Sequence, residues 1–468
     1  MAMYTIGAIF GALSTMVLGD RLGRRRMIFF ASGIIIIGAA LMASSFSLGQ
    51  LIVARLLVGL GTGATTATVP VWQSELSKAS NRGSHVVTEG LFIGVGIALS
   101  LWIDFGFYYL ASSSVSWRCP LALEIPFSII VMAFVFTLPE SPRWLLKKGR
   151  TDEAREILAI LADVEPDSEH VNNEMADIEA YLAIAGIVSR WDLLKMGPQR
   201  IFHRTVLAAG GQFFSQICGI NCITFYAITI FQQDLKLDST KSRILGAAME
   251  TIQILGGGSA VFTIDRFGRR KLMLISAAGM SLCMIIAAGT TSATNNTASL
   301  VVGIVVLFAF NWFYPFGFLG LTYLYSTEVA PLHLRASISG LSNAVTWLTT
   351  FVVVEITPVG FSTIENRFYI IWTVINAAIV VVVYFFFPET NGRSLEEMDA
   401  IFAQSKNIFD PPKIARAMPR GRLVDELAAV AADSTNSPNE KATEYEAATS
   451  SMIETVENRK TDDSDAQL

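Results

Sequence analysis

The sequence predicts an all-α, polytopic transmembrane helical bundle made of two related halves. Three observations predict it: composition, hydropathy patterning and an internal repeat. Hydrophobic residues make up 52% of the 468 positions and charged residues only 16%. A soluble domain of this size carries charge on about a quarter of its residues. The charges cluster in short segments between long apolar runs, and the net charge of −5 gives no basis for binding nucleic acid.

A membrane helix needs about 20 mostly apolar residues. Eleven stretches qualify, near 3–19, 27–46, 51–72, 86–109, 119–138, 204–231, 244–264, 272–291, 299–324, 338–358 and 368–387. Met1 leads into the first without the basic region of a signal peptide. Lys/Arg asymmetry orients the set. Arg21 and Arg24 to Arg26, Lys78 and Arg82, Arg143 to Arg150, Arg266 to Lys271, and Arg335 all fall in loops of one side, which is expected in the cytoplasm. The carboxy-terminus then lies inside and Met1 outside, and the sequon Asn295-Asn296-Thr297 falls in an outer loop. Cys119, Cys218, Cys222 and Cys283 sit within spans and read as packing residues, without a disulfide or metal framework.

The expected organisation is an amino-terminal bundle over 1–138, a cytoplasmic helical linker over 139–203, a carboxy-terminal bundle over 204–387 and a cytoplasmic tail over 388–468. Thr151, and Asp167 or Ser168, suit as N-caps of two linker helices. From about residue 433 the tail is acidic, rich in Ser and Thr and poor in large apolar side chains, so it is expected to be disordered.

The repeat ties the halves together. Gly19-Asp20-Arg21-Leu22-Gly23-Arg24-Arg25 recurs as Ile264-Asp265-Arg266-Phe267-Gly268-Arg269-Arg270. Glu75 followed by Arg82-Gly83 recurs as Glu328 followed by Arg335-Ala336, and Pro139-Glu140-Ser141 as Pro388-Glu389-Thr390. Two such bundles can rock about a site held between them at the membrane midplane. One end must then latch and release, a task suited to carboxylate–guanidinium pairs. The latch candidates are Asp20, Arg24, Glu75, Arg82, Glu140, Arg143, Asp265, Arg269, Glu328 and Arg335. Topology alone would ask for the basic residues but not for acids at matched spacings.

Asp20-Arg21-Leu22-Gly23-Arg24-Arg25, Arg55 followed by Gly59, Gly61 and Gly63, Pro139 to Leu145, Gly219-Ile220-Asn221 and Pro388 to Glu397 together resemble the sugar-porter family of the major facilitator superfamily, and its fungal members in particular. The resemblance runs to about residue 402. It implies the major facilitator fold and a monomeric integral protein of the plasma membrane, in contact with the lipid bilayer. It implies no enzymatic activity, no catalytic residue, no metal and no cofactor. That family normally has twelve spans, and the DRxGRR-type motif follows its second. Here the motif follows the first, so about 11 spans are expected, with the family's first helix lacking. In proton-coupled members the arginine matching Arg55 faces an aspartate on that helix.

Sugars and polyols are bound by amides, which donate and accept, and by aromatic faces. The span 204–231 offers Gln212, Ser215, Gln216, Asn221 and Tyr226. The resemblance assigns substrate contact to Gln216 and Asn221, and places Gln253, Tyr323 and Trp347 where other substrate residues stand. On an ideal helix Gln216 and Asn221 point about 140° apart, so they share a site only if the helix breaks between them, as Gly219 allows. Ser215 stands where a first glutamine is usual, Gly90 stands where another is usual, with Glu89 beside it, and Thr346 and Thr350 stand where amides are common. A pocket with fewer amides and an added carboxyl leaves a hexose, a disaccharide, a polyol and a cyclic acid all open.

Glu89, Glu124 and Glu355 are intramembrane acids able to carry protons, and Glu89 is also a candidate partner for Arg55. The expected function is secondary active or facilitative transport of a sugar or related polyol by alternating access, with coupling to protons open. A nutrient sensor on a transporter fold and a truncated, non-transporting form are the alternatives. A nucleotide-driven pump is disfavoured because no GxxxxGK[ST] loop is present. His85, His170, His203 and His333 lie near loops and read as surface residues.

Overall fold

The computed structural model describes residues 2–77, 82–110, 113–185, 190–197, 199–233, 237–292, 297–331, 334–364, 367–393 and 395–418. Lys78, His333, the Asn295 sequon and the acidic tail fall outside these residues, as do the side chains of Arg82 and Glu396. Among the described residues the chain is helical throughout, and eleven helices or helix pairs are long and apolar enough to cross a membrane.

The amino-terminal bundle holds α1 (Ala2–Leu22), α2 (Arg24–Ala43), α3 (Leu48–Leu76) and α4 (Arg82–Tyr108), and then one span broken at Leu123 into α5 (Val115–Ala122) and α6 (Glu124–Phe134). The linker folds as three short helices, α7 (Pro142–Lys147), α8 (Thr151–Ala162) and α9 (Glu169–Ala185), around Trp144, Leu145, Leu158, Val171 and Met175. Their starts differ slightly from expectation. Thr151 is the first helical residue of α8 rather than its cap, and Ser168 caps α9 through the Val171 N–H.

The carboxy-terminal bundle opens three residues earlier than expected, with α10 (Ile201–Ile217) continuing into α11 (Ile220–Gln233). Then come α12 (Ser239–Phe267), α13 (Arg269–Ser292), and α14 (Thr297–Tyr314), which passes through a π-helical turn at Pro315–Leu319 into α15 (Leu321–Val329). The bundle closes with α16 (Arg335–Ile364) and α17 (Phe368–Phe386). Its core is one continuous apolar cluster that includes Phe310, Phe318, Tyr325, Tyr369 and Trp372. Two further helices, α18 (Leu395–Gln404) and α19 (Asp410–Ala417), pack on the bundle end. Arg204 fastens α18 by pairing with Asp399 at 2.5 Å while its Nε donates to Val329 O. His203, expected at the surface, is buried with its ring edge-on to Phe402.

The halves meet along α1 with α16, α3 with α16, and α4 with α12 and α15. The inter-bundle hydrogen bonds include Ser339 Oγ to Ala67 O, Asn343 Nδ2 to Thr66 O at 2.9 Å and Trp102 Nε1 to Thr251 Oγ1.

Candidate functional site

The repeated motifs build one charge cluster per bundle at the same end. In the amino half, Arg24 grips Glu75 with two hydrogen bonds of 2.9 Å, from Nε and Nη2. In the carboxy half, Arg269 grips Glu328 in the same way, at 3.1 and 2.8 Å. All four side chains are buried. Bidentate pairs out of water are the strong form of this interaction. Each glutamate takes the arginine of the DRxGRR-type motif as a direct partner. In both halves the motif arginine is the first residue of the next helix. Arg335 is buried, and its charge acts on Glu75 of the opposite half.

Glu140 and Glu389 have a different task from pairing with arginine side chains. Glu140 accepts the backbone N–H groups of Arg24, Arg25 and Ser141, at 3.1, 3.2 and 3.0 Å. Glu389 accepts those of Arg269, Arg270, Thr390 and Asn391. Each carboxylate caps the first turn of α2 or α13, where free N–H groups and the helix dipole favour an anion. The glycine of the motif makes room. Gly23 and Gly268 have φ of 85° and 88°, and a Cβ there would lie 2.8 and 2.5 Å from the capping carboxylate. Glu389 was missing from the candidates, although its match to Glu140 in the repeat signalled it. Arg143 makes no ion pair among the described residues.

Deeper in the carboxy half lies a cluster of amides and hydroxyls. The helix breaks at Gly219, φ 99°, between α10 and α11. The break lets Asn221 Nδ2 turn back to donate to Gln216 Oε1 at 2.8 Å. Gln216 Oε1 also accepts from Thr350 Oγ1, and Gln216 Nε2 donates to Ser215. Gln212 Oε1 accepts from Thr322 and Thr346. The threonines standing where amides are common therefore hold the glutamine carbonyls in place. The Gln212 amide N–H groups and Asn221 Oδ1 make no hydrogen bond among the described residues. Those atoms suit a polyhydroxyl ligand, which both donates and accepts.

The other candidates are arranged around this cluster. Gln253 donates to Asn311 Oδ1 at 3.0 Å and to the Glu250 carboxylate. Trp347 reaches across to Thr66 and stacks edge-on with Tyr4, ring centres 5.5 Å apart. Tyr323 is buried beside Glu89. Tyr226 stands apart, its hydroxyl donating to Val354 O. Gly90 packs against the opposite bundle, and a Cβ there would sit 2.5 Å from Gly320 Cα. The seam thus excludes a side chain at this position.

Among the described residues Arg55 forms no ion pair with Glu89, and its charge acts on the carboxyl of Glu124 at the start of α6. Glu89 lies on the face of α4 turned to Tyr323 of the carboxy half, and one of its oxygens is buried without a hydrogen-bond partner. Glu355 is exposed near the far end of α16.

Comparison with known proteins bears on this arrangement. The profile of the family described as "Sugar (and other) transporter" matches residues 1–402. The sugar transporter STL1 of Saccharomyces cerevisiae is 37% identical, covering 89% of this chain and 74% of its own. The glucose transporter GlcP of Staphylococcus epidermidis is 32% identical, covering 84% and 86%. Among solved structures, the proton:xylose symporter XylE bound to 6-bromo-6-deoxy-D-glucose superposes with a TM-score of 0.77 at 21% identity, covering 86% of this chain and 88% of that one. A partially occluded, inward-open form of XylE from E. coli gives 0.68. At that identity these structures speak for the fold.

Proposed function

Because the chain belongs to the sugar transporter family of the major facilitator superfamily, we propose that it carries a neutral sugar or related polyol across a membrane by alternating access. The single observation that supports this most is the cluster of Gln212, Gln216 and Asn221, held by Thr322, Thr346 and Thr350 beside the seam between two bundles. It offers donors and acceptors without a fixed charge, as a polyol requires.

The contact between the bundles at the end bearing the charge clusters, from Ser84 to Asp265, supports a form closed on that side. The basic residues there favour a cytoplasmic placement. Transport then runs by breaking the contacts at that end and reforming contacts at the other, with the substrate carried by the amides of the carboxy half. A monomer in the plasma membrane fits this reading, and protons are the co-substrate we favour.

The test is uptake into liposomes holding the purified chain, with a panel of radiolabelled hexoses, pentoses, disaccharides and linear polyols. Asn221→Ala and Gln216→Ala are each expected to raise KM about tenfold for the accepted substrate, the scale of about 1.4 kcal/mol for one lost hydrogen bond. Unchanged KM in both variants would remove these residues from the site. Absence of uptake across the panel, with intact binding, would favour a sensor.

A further inference from the structure

Glu250 lies in the middle of α12, in the candidate span 239–267, and has no exposed surface. It was not among the acids that the sequence brought forward. Among the described residues no arginine, lysine or histidine forms an ion pair with it. Its surroundings are polar but uncharged. Gln253, one helical turn on, donates one N–H to Glu250 Oε2 and the other to Asn311 Oδ1 on α14. Asn311 Nδ2 is spent on Leu307 O. Thr224 of α11 faces the carboxyl, and its hydroxyl makes no hydrogen bond of ordinary geometry.

Counting donors against acceptors exposes an imbalance. Both Gln253 hydrogens are used, yet Glu250 Oε1 and Gln253 Oε1 are buried without a hydrogen bond among the described residues. A carboxylate accepts only, and a glutamine carbonyl accepts only. The Thr224 hydroxyl has one proton for these two oxygens, so the cluster remains a donor short and holds no positive charge among the described residues, in a place where an uncompensated anion is costly. Ionisable residues within spans mark ion pathways for this reason.

We propose that the Glu250–Gln253–Asn311–Thr224 cluster is a binding site for one monovalent cation, a proton or a sodium ion, carried on Glu250 and coupled to the sugar site. Gln253 belongs to this cluster and stands among the substrate candidates. Tyr314 on α14 meets both Gln216 and the charge of Glu250, so the two sites adjoin. The proposal rests on the transport reading for its coupling but not for its cation binding.

Other titratable groups on the neighbouring helices are accounted for. From α14 the group facing Glu250 is Tyr314, with Cys218 behind it. On α4, Glu89 is directed to Tyr323 and Asp104 to Arg243. From α11, Thr224 is the facing group. On α13, Arg269 and Arg270 belong to the charge cluster at the bundle end.

Infrared difference spectroscopy of the full chain in lipid nanodiscs tests the site without substrate. In sodium-free buffer near neutral pH, wild type is expected to show a protonated-carboxyl band that E250Q loses and E89Q keeps. Conversion of that band to carboxylate on adding sodium, in wild type but not in E250Q, identifies sodium as the ligand. Persistence of the band through the sodium titration identifies the proton. If E250Q does not purify as a single species, E250D takes its place and is expected to shift the band rather than remove it. Spectra that do not differ between wild type and the Glu250 variants at any pH or sodium concentration overturn the proposal, as does loss of the band in E89Q alone. Because no substrate is used, failure here leaves the transport reading standing, and failed uptake leaves the cation site standing.

Discussion

The two charge clusters share a motif and differ in where their spare contacts go. In the amino half, Asp20 lies 3.7 Å from Arg24 and also turns toward the linker: its carboxylate pairs with Lys147 at 2.9 Å, and its backbone carbonyl accepts from Trp144 Nε1. In the carboxy half, Asp265 pairs with Arg269 at 3.0 Å and accepts the Ser84 N–H, from the other bundle, at 3.0 Å. Thr390 and Asn391 add further hydrogen bonds to Glu328 and Arg269 at 2.6 and 2.8 Å. The amino cluster thus fastens its bundle to the linker while Glu75 meets the charge of Arg335 across the seam, and the carboxy cluster adds a hydrogen bond to the backbone of the other bundle. A duplicated sequence has diverged in use, so matching variants in the two halves are expected to give unequal effects.

Glu328→Gln is expected to have the largest effect. Removing one charge from a buried pair costs about 3 kcal/mol, and here the pair sits in the cluster that bridges the bundles. Thermostability and uptake rate are both expected to fall. Glu75→Gln is expected to lower stability similarly but to separate the bundles less. Equal bundle separation in the two variants would erase the asymmetry. Gly83→Val comes next and alters no charge. A Cβ at Gly83 would lie 2.0 Å from Asp265 Oδ1 and 2.6 Å from Arg269 Nη2, so the contact has to open. Accessibility of the cleft to thiol reagents from the charged end is the readout, and unchanged labelling would show that this contact is not needed for closure.

Asp265→Asn against Asp20→Asn gives the finest comparison. The first weakens a charge-assisted bond across the bundles, about 1.5 kcal/mol or roughly a tenfold shift in the closed population. The second weakens partly exposed pairs of Asp20 with Lys147 and Arg24, worth about 1 kcal/mol, and is expected to shift the bundle equilibrium less.

Much of this was legible in the sequence, because the membrane imposes simple rules. Long apolar runs marked the spans, and the repeat marked the halves. The glycine between Gln216 and Asn221 marked the helix break that brings them together. What remained hidden depends on helix facing. Glu89 and Glu124 are both intramembrane acids, and only the fold shows that Glu124 lies within the field of Arg55 while Glu89 turns to Tyr323 of the carboxy half. Thr346 and Thr350 read as lost amides, whereas in the fold their hydroxyls fix the glutamines. Glu250 was passed over within an otherwise ordinary span, although an acid three residues before Gln253 was visible there.

The central claim is that closure at the charged end depends more on the carboxy cluster than on the amino cluster. The most direct test places spin labels at Arg21→Cys and Arg266→Cys, exposed positions on the two bundles, and measures the distance between them by pulsed electron resonance. The comparison is between the otherwise native chain, the Asp265→Asn, Glu328→Gln double variant and the Asp20→Asn, Glu75→Gln double variant. The account predicts a longer, broader distribution for the carboxy-cluster variant and a nearly native one for the amino-cluster variant. A native distribution in the carboxy-cluster variant, or equal widening in both, would contradict it.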